Sequence, residues 1–380
     1  MRRVRAPGRV NLIGEHIDYN GLPVLPFALN REIVLEYRPR ADRRVILHNT
    51  DSGFPPVEFT LSGDLAAAAA GSWGNYPRAA AQILWRETGP LMGLEGEVSS
   101  TLPIAAGLSS SSALVVATAL ALLDASGREV PREQLMSLLA RGERYVGLQG
   151  GGMDQAISLA GRQGHALRID FRPELRLTPV PVPPDWRIIV ASSLVEAAKS
   201  AGAKESYNTR VGQTRTALEQ VATRGLGIAP PTDYADLLNR VPAEEALARA
   251  ESVLDEVLYR RFRHVVTEAG RVDAAVEAMH ASDLPGFGRL LHQSHVSLRN
   301  DYEVSCAELD QLVAIAESAG AVGARLTGAG FGGCTLAACS TTAVDGVMEA
   351  LAREFYAPRG VSDLGDVLFT ATPSDGAGIA

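Results

Sequence analysis

Residues 107–113 read GLSSSSA and run directly into an unbroken apolar stretch, so a glycine-serine turn opens a helix that has to be buried. A helix start leaves its first backbone N–H groups without partners, and such groups attract anions. Gly107 permits close backbone approach, while the serine hydroxyls add donors or a ligand for magnesium. Phosphate is the expected guest. The same residues also fit a serine-rich turn ahead of an ordinary core helix. They are not the P-loop pattern, because no lysine follows Ser109, Ser110, Ser111 and Ser112.

The chain has 380 residues, more than a typical single core holds, which suggests two domains. Apolar residues make up 46% and charged residues 21%, with a net charge of -8, so a soluble, mildly acidic globular protein is expected and nucleic acid is not an expected partner. Cys306, Cys334 and Cys339 have neither the even number nor the paired spacing of a disulfide framework or zinc site, which fits a reducing, cytoplasmic setting. The start MRRVRAPGRV has no apolar run behind its arginines, and no later segment offers about 20 charge-free apolar residues. Neither secretion nor a membrane partner is expected. Oligomeric state is left open, and a monomer is compatible with the chain.

Strand-like runs at residues 4–13, 33–37 and 45–47 make a sheet-rich beginning. Helical patterns follow at 66–70 and 73–85, then at 111–125, which is apolar nearly all round, and at 135–145. The glycines before Met153 and Asp154 suggest a loop between elements. The proline-rich stretch within 177–195 is the preferred boundary, dividing the chain into 1–181 and 182–380, although residues 179–184 fit a stiff surface loop equally well. Beyond it, helices are expected at 207–224, 243–250 and around Leu291 and Leu312, with a glycine-rich strand and turn at 325–333.

Three clusters carry chemistry. In RVNLIGEHID (residues 9–18), Arg9, Glu15, His16 and Asp18 gather around Gly14, an arrangement suited to a polyhydroxyl ligand such as a sugar, or to a polar surface turn. No HExxH is present, and His16 lacks a spaced histidine partner for a metal. In GGGMDQ (150–155), Asp154 follows three glycines, and Glu143 lies near the end of a predicted helix. Magnesium takes one or two carboxylates together with phosphate oxygens, and the same site can set Asp154 against a substrate hydroxyl. A turn aspartate is the plainer alternative. The third, RLTGAGFGGCTL (325–336), has the GxGxxG spacing at Gly328, Gly330 and Gly333, but a strand-like run follows where a dinucleotide motif needs a helix. A loop closing around the serine cradle fits better.

Together these segments resemble the galactokinase branch of the GHMP small-molecule kinase superfamily. Residues 6–21 (APGRVNLIGEHIDYNG) are similar to the galactokinase signature, 102–114 (LPIAAGLSSSSAL) to the phosphate-binding motif and 326–334 (LTGAGFGGC) to the third family motif; 150–155 and 301–310 (DYEVSCAELD) add order and spacing. The resemblance implies a two-domain α/β fold with ATP and sugar meeting in the interdomain cleft, and a final strand near 367–370 returning to the first domain. It implies Asp154 as the carboxylate facing the anomeric hydroxyl, with Arg9 beside it. It further implies Glu15, His16, Asp18, Gly151 and Tyr207 around the sugar, Gly107, Ser109, Ser110 and Ser111 on ATP, and Ser111 with Glu143 on Mg2+. Trp73 and Tyr76 resemble nucleotide-side positions, although core packing explains them equally. GERYVGLQGGGMDQ and EHID look locally like the N-acetylgalactosamine kinase branch, where Gly150 and Gly152 enlarge a pocket or loosen a loop. The expected activity is transfer of the γ-phosphate of ATP to C1 of galactose or a close relative, with a non-catalytic sugar and ATP sensor as the alternative.

Overall fold

The structure, a computed structural model, describes residues 1–103, 107–142, 145, 147, 150–195 and 201–379. Among the described residues the strands form three sheets. The first contains β1 (Arg2–Asn11), β2 (Pro26–Arg40), β3 (Arg44–Asn49), β4 (Val57–Thr60), β5 (Gly93–Ser100) and β12 (Gly378–Ile379), in the order β12-β1-β2-β5-β3-β4. Pairing is antiparallel except between β3 and β5. The β1–β2 register shifts between Pro7 and Arg9, and a bulge of this kind re-aims the side chain beyond it. Arg9 is that side chain.

Helices α1 (Asn75–Thr88), α2 (Ser110–Ala125), α3 (Arg132–Gly142) and α4 (Met153–Ala160) gather around this sheet, with α2 packed on β1, β2 and α1. From Ser112 to Leu123 every residue of α2 except Leu120 is buried, which is why its sequence shows no polar face. Residues 66–70, expected to be helical, are irregular: alanine propensity is a weak prior that a short segment outside a packed helix does not realise. Asp154, expected in a loop, lies in the first turn of α4, and Gly152 before it takes a left-handed conformation, φ 103°. The glycine run ends in the helix start.

A hairpin of β6 (His165–Asp170) and β7 (Arg176–Pro181) leads to the second four-stranded sheet. That sheet is antiparallel and comprises β8 (Trp186–Ser192), β9 (Gly323–Thr327), β10 (Cys334–Ser340) and β11 (Leu368–Ala371), in the order β11-β8-β10-β9. Ile188, Val190, Leu336 and Ala338 face the main core, whereas Ile189, Ala191, Ala337 and Cys339 face a second cluster with Leu312, Leu351 and Phe355. Both faces are covered, so these strands read as continuous apolar runs. Residues 367–370 do not return to the first sheet: β11 pairs with β8, and the return is made by β12, where Ile379 pairs with Val4.

The remaining helices are α5 (Ala201–Gln220), α6 (Tyr234–Arg240), α7 (Ala243–Val253), α8 (Glu256–His280), α9 (Leu284–Ser297), α10 (Ala307–Ser318) and α11 (Val344–Leu351). Asp233, Asp255 and Asp283 cap α6, α8 and α9 by accepting from the N–H three residues on. The 25-residue α8 escaped the sequence reading because its buried face carries Arg261, His264 and Glu268 among the apolar residues, which breaks the periodic signal. Among the described residues no helix is long and apolar enough to cross a membrane.

Candidate active site

Asp154 and Arg9 meet although 145 residues separate them: Arg9 Nε donates to Asp154 Oδ1 at 2.8 Å. Arg9 Nη1 donates to the Gly107 carbonyl at 2.6 Å, and its backbone N–H donates to the Leu108 carbonyl at 3.1 Å. One buried arginine therefore fixes both the carboxylate and the serine loop. Ser109, expected on phosphate, turns its hydroxyl to Asp154 Oδ2 at 2.5 Å.

Asp18 approaches the same place from the turn after the signature glycine, accepting from the Gly151 N–H at 3.2 Å. Burial, reinforced by the negative charge of Asp154, pushes the Asp18 carboxyl up to about 6. Gly151 has no room for a side chain, since a Cβ there would lie 2.4 Å from both the Asp18 carbonyl carbon and the Tyr19 nitrogen. Gly152 is explained by its backbone angle rather than by pocket size.

Glu15 is 1% exposed, and its carboxylate accepts from the Asn11 amide, from the Gly328 N–H and, at 3.3 Å, from Thr327 Oγ1. It ties the signature to the third motif from below. Gly328, at φ 86°, approaches so closely that a Cβ would sit 2.7 Å from the Gly107 carbonyl oxygen. The glycine-rich turn thus abuts the serine loop, and it leads into β10 rather than a helix, which removes the dinucleotide reading.

Burial and the neighbouring His264 lower the pKa of His16 to about 3, leaving the ring neutral. Its Nε2 faces the Ala329 carbonyl at 3.1 Å, an oxygen that can only accept, so Nε2 carries the hydrogen. Nδ1 then accepts from the Tyr19 hydroxyl at 2.9 Å, which accepts in turn from Tyr302 at 2.7 Å. Tyr207 closes the group, its ring centroid 5.5 Å from those of His16 and Tyr19. Tyr19 and Tyr302 were not singled out from sequence, although both lie in the quoted family segments. Position within those segments was the available signal.

At the other end, α2 starts without a side-chain cap, and Ser110 and Ser111 stand half-buried in its first turn. A helix start beside hydroxyls fits a triphosphate, and Ser111 fits a magnesium ligand supplied mainly with phosphate oxygens. Glu143, expected as the second ligand, lies outside the described residues. Trp73 is core: it is 7% exposed, edge-on to Phe54, and donates to the Pro55 carbonyl.

The serine loop, the carboxylate-arginine pair and the glycine-rich turn after β9 thus come together at one place. The model described as GHMP kinases N terminal domain matches residues 75–162, and GHMP kinases C terminal matches 275–357. The galactokinase galactose-binding signature matches residues 2–39. A galactokinase of Roseiflexus sp. is 38% identical over 99% of this chain and 92% of its own, and one of Bos taurus is 40% identical over 93% and 87%. The Lactococcus lactis galactokinase crystal structure, complexed with galactose, superposes with TM-score 0.87 at 32% identity, covering 99% of this chain and 94% of that one. The Methanococcus jannaschii mevalonate kinase, at 18% identity and TM-score 0.63, shares the fold. The chain belongs to the galactokinase family of GHMP kinases, and transfers phosphate from ATP to a sugar.

Proposed function

We propose that the protein transfers the γ-phosphate of ATP to the C1 hydroxyl of galactose or a close galactose-like sugar, forming the sugar 1-phosphate and ADP. The observation carrying this reading is the placement of Asp154 between Arg9 and the serine loop, close enough to Asp18 for the two carboxylates to interact. Asp154 receives or orients the proton of the attacking hydroxyl as its oxygen bonds to phosphorus and the bond to ADP breaks. The Arg9 guanidinium holds the carboxylate in place and offsets charge developing on the transferred group. Bound Mg2+ would neutralise charge on the phosphate oxygens, held there by Ser111 and Glu143.

On the sugar side, Asp18 accepts from ring hydroxyls, Tyr207 supplies an aromatic wall, and Gly151 keeps its loop tight against Asp18. Glu15 and His16 act mainly by shaping this wall, since their polar atoms already engage Gly328 and Ala329. The N-acetylgalactosamine alternative rests on the local resemblance of GERYVGLQGGGMDQ and EHID, in which Gly152 has a positive φ that itself accounts for a glycine. Purified protein with ATP and Mg2+, offered galactose, N-acetylgalactosamine and arabinose separately, tests the reading by mass spectrometry and NMR of the product. Galactose 1-phosphate that disappears in Asp154→Ala is the expected result. Binding of sugar and ATP without any sugar phosphate would replace it with the sensor reading.

A further inference from the structure

Ser109 precedes α2, the place where a serine ordinarily takes an extended backbone and accepts from an N–H two or three residues on. It does neither. Its backbone is left-handed, φ 59° and ψ 36°, and its side chain makes no cap bond. A non-glycine residue held in that region is strained, and strain of this kind persists where the surroundings enforce it.

The surroundings here are identifiable. Arg9 grips the two residues before Ser109 through the Gly107 and Leu108 carbonyls, while a Cβ on Gly8 would lie 2.5 Å from the Leu108 oxygen, so the loop sits directly on β1. This arrangement aims the Ser109 hydroxyl at Asp154 Oδ2 while Arg9 holds Oδ1. Each carboxylate oxygen thereby has its own donor, and rotation of the carboxylate breaks both bonds.

We infer that Ser109 is a positioning residue for Asp154 rather than a phosphate ligand, a division of labour within the four serines that leaves Ser110 and Ser111 to the nucleotide. The inference rests on the reading of Asp154 as the carboxylate facing the sugar hydroxyl. In the transfer Asp154 receives or orients the sugar proton, and Ser109 keeps its own proton throughout.

The test compares the wild-type protein with Ser109→Gly, which suits the left-handed backbone and lacks only the side chain, and with Ser109→Ala. Steady-state kinetics are paired with calorimetric binding of a non-hydrolysable ATP analogue in the presence of Mg2+. Both variants are expected to lose about 10- to 100-fold in kcat, the scale of a misoriented catalytic group, with KM for ATP and analogue affinity within about twofold of wild type. Placed on Asp154→Asn, Ser109→Gly is expected to cost residual kcat almost nothing more, because the two residues act as a unit. A rise of about tenfold in KM for ATP with kcat little changed, or full additivity with Asp154→Asn, would overturn the inference while leaving the kinase reading intact. A wild-type protein that transfers no phosphate would overturn both.

Discussion

Arg9 binds Asp154 and the serine loop at once, its Nε 2.8 Å from the Asp154 carboxylate and its Nη1 2.6 Å from the Gly107 carbonyl. A lysine cannot reproduce that fork, since its ammonium is a single point of charge. Arg9→Lys is therefore expected to lower kcat by about 10²- to 10³-fold, the scale seen when a preorganised donor is removed. Coupled-enzyme measurement of ADP release, with sugar and ATP varied independently, checks this. An unchanged kcat would mean that the contact serves folding alone.

Gly151→Ala forces a Cβ to within 2.4 Å of the backbone between Asp18 and Tyr19. Backbone has to move to relieve such a contact, at a cost of about 1–3 kcal/mol. The expected outcome is a lower urea midpoint together with weaker sugar binding and nearly unchanged binding of the ATP analogue. Equal losses for both ligands would show that the loop is not specific to the sugar side.

Gly328→Ala tests the contact between the two glycine-bearing loops. It combines a positive φ of 86° with a Cβ 2.7 Å from the Gly107 oxygen, so a loss of about 1–3 kcal/mol in stability is expected. Because Gly107 leads into α2, KM for ATP should rise as well. Thermal unfolding and nucleotide titration of the same preparation read the two effects.

Asp18 sets a pH dependence. Its folded-state pKa of about 6 stands above the ordinary aspartate value of 3.8, so between these limits the folded protein binds more protons than the unfolded chain. Stability is consequently greatest below about pH 4 as far as this group is concerned, and falls as pH rises through about 6. The whole contribution is at most about 3 kcal/mol. Urea midpoints for Asp18→Asn should lack that decline, so the variant gains on wild type at pH 7.5 relative to pH 4.5. Parallel curves for the two proteins would contradict the buried, charge-crowded setting of Asp18.

Much of the site was legible because its motifs are local. Arg9, Asp18, Gly107 and Asp154 were each marked by neighbours in the chain, and the buried α2 followed from its uninterrupted apolar run. Helix α8 was not legible, since Arg261, His264 and Glu268 face inward and mask its period. Nor was the pairing at the C-terminus: the strand expected near 367–370 forms but pairs with β8, and the return to the first sheet is made by Gly378 and Ile379, two residues too few to carry a strand pattern.

Sequence by itself determined the family, the order of the motifs and the residue types that gather at the site, because turns and helix starts are specified by glycines and serines at short spacing. Only the tertiary structure decided which partner each polar group takes. Glu15 reaches Gly328 across 313 residues, and Ser109 reaches Asp154 across 45. A buried carboxylate or hydroxyl bonds whatever donor or acceptor packing brings within about 3 Å, and that proximity exists only in the folded chain.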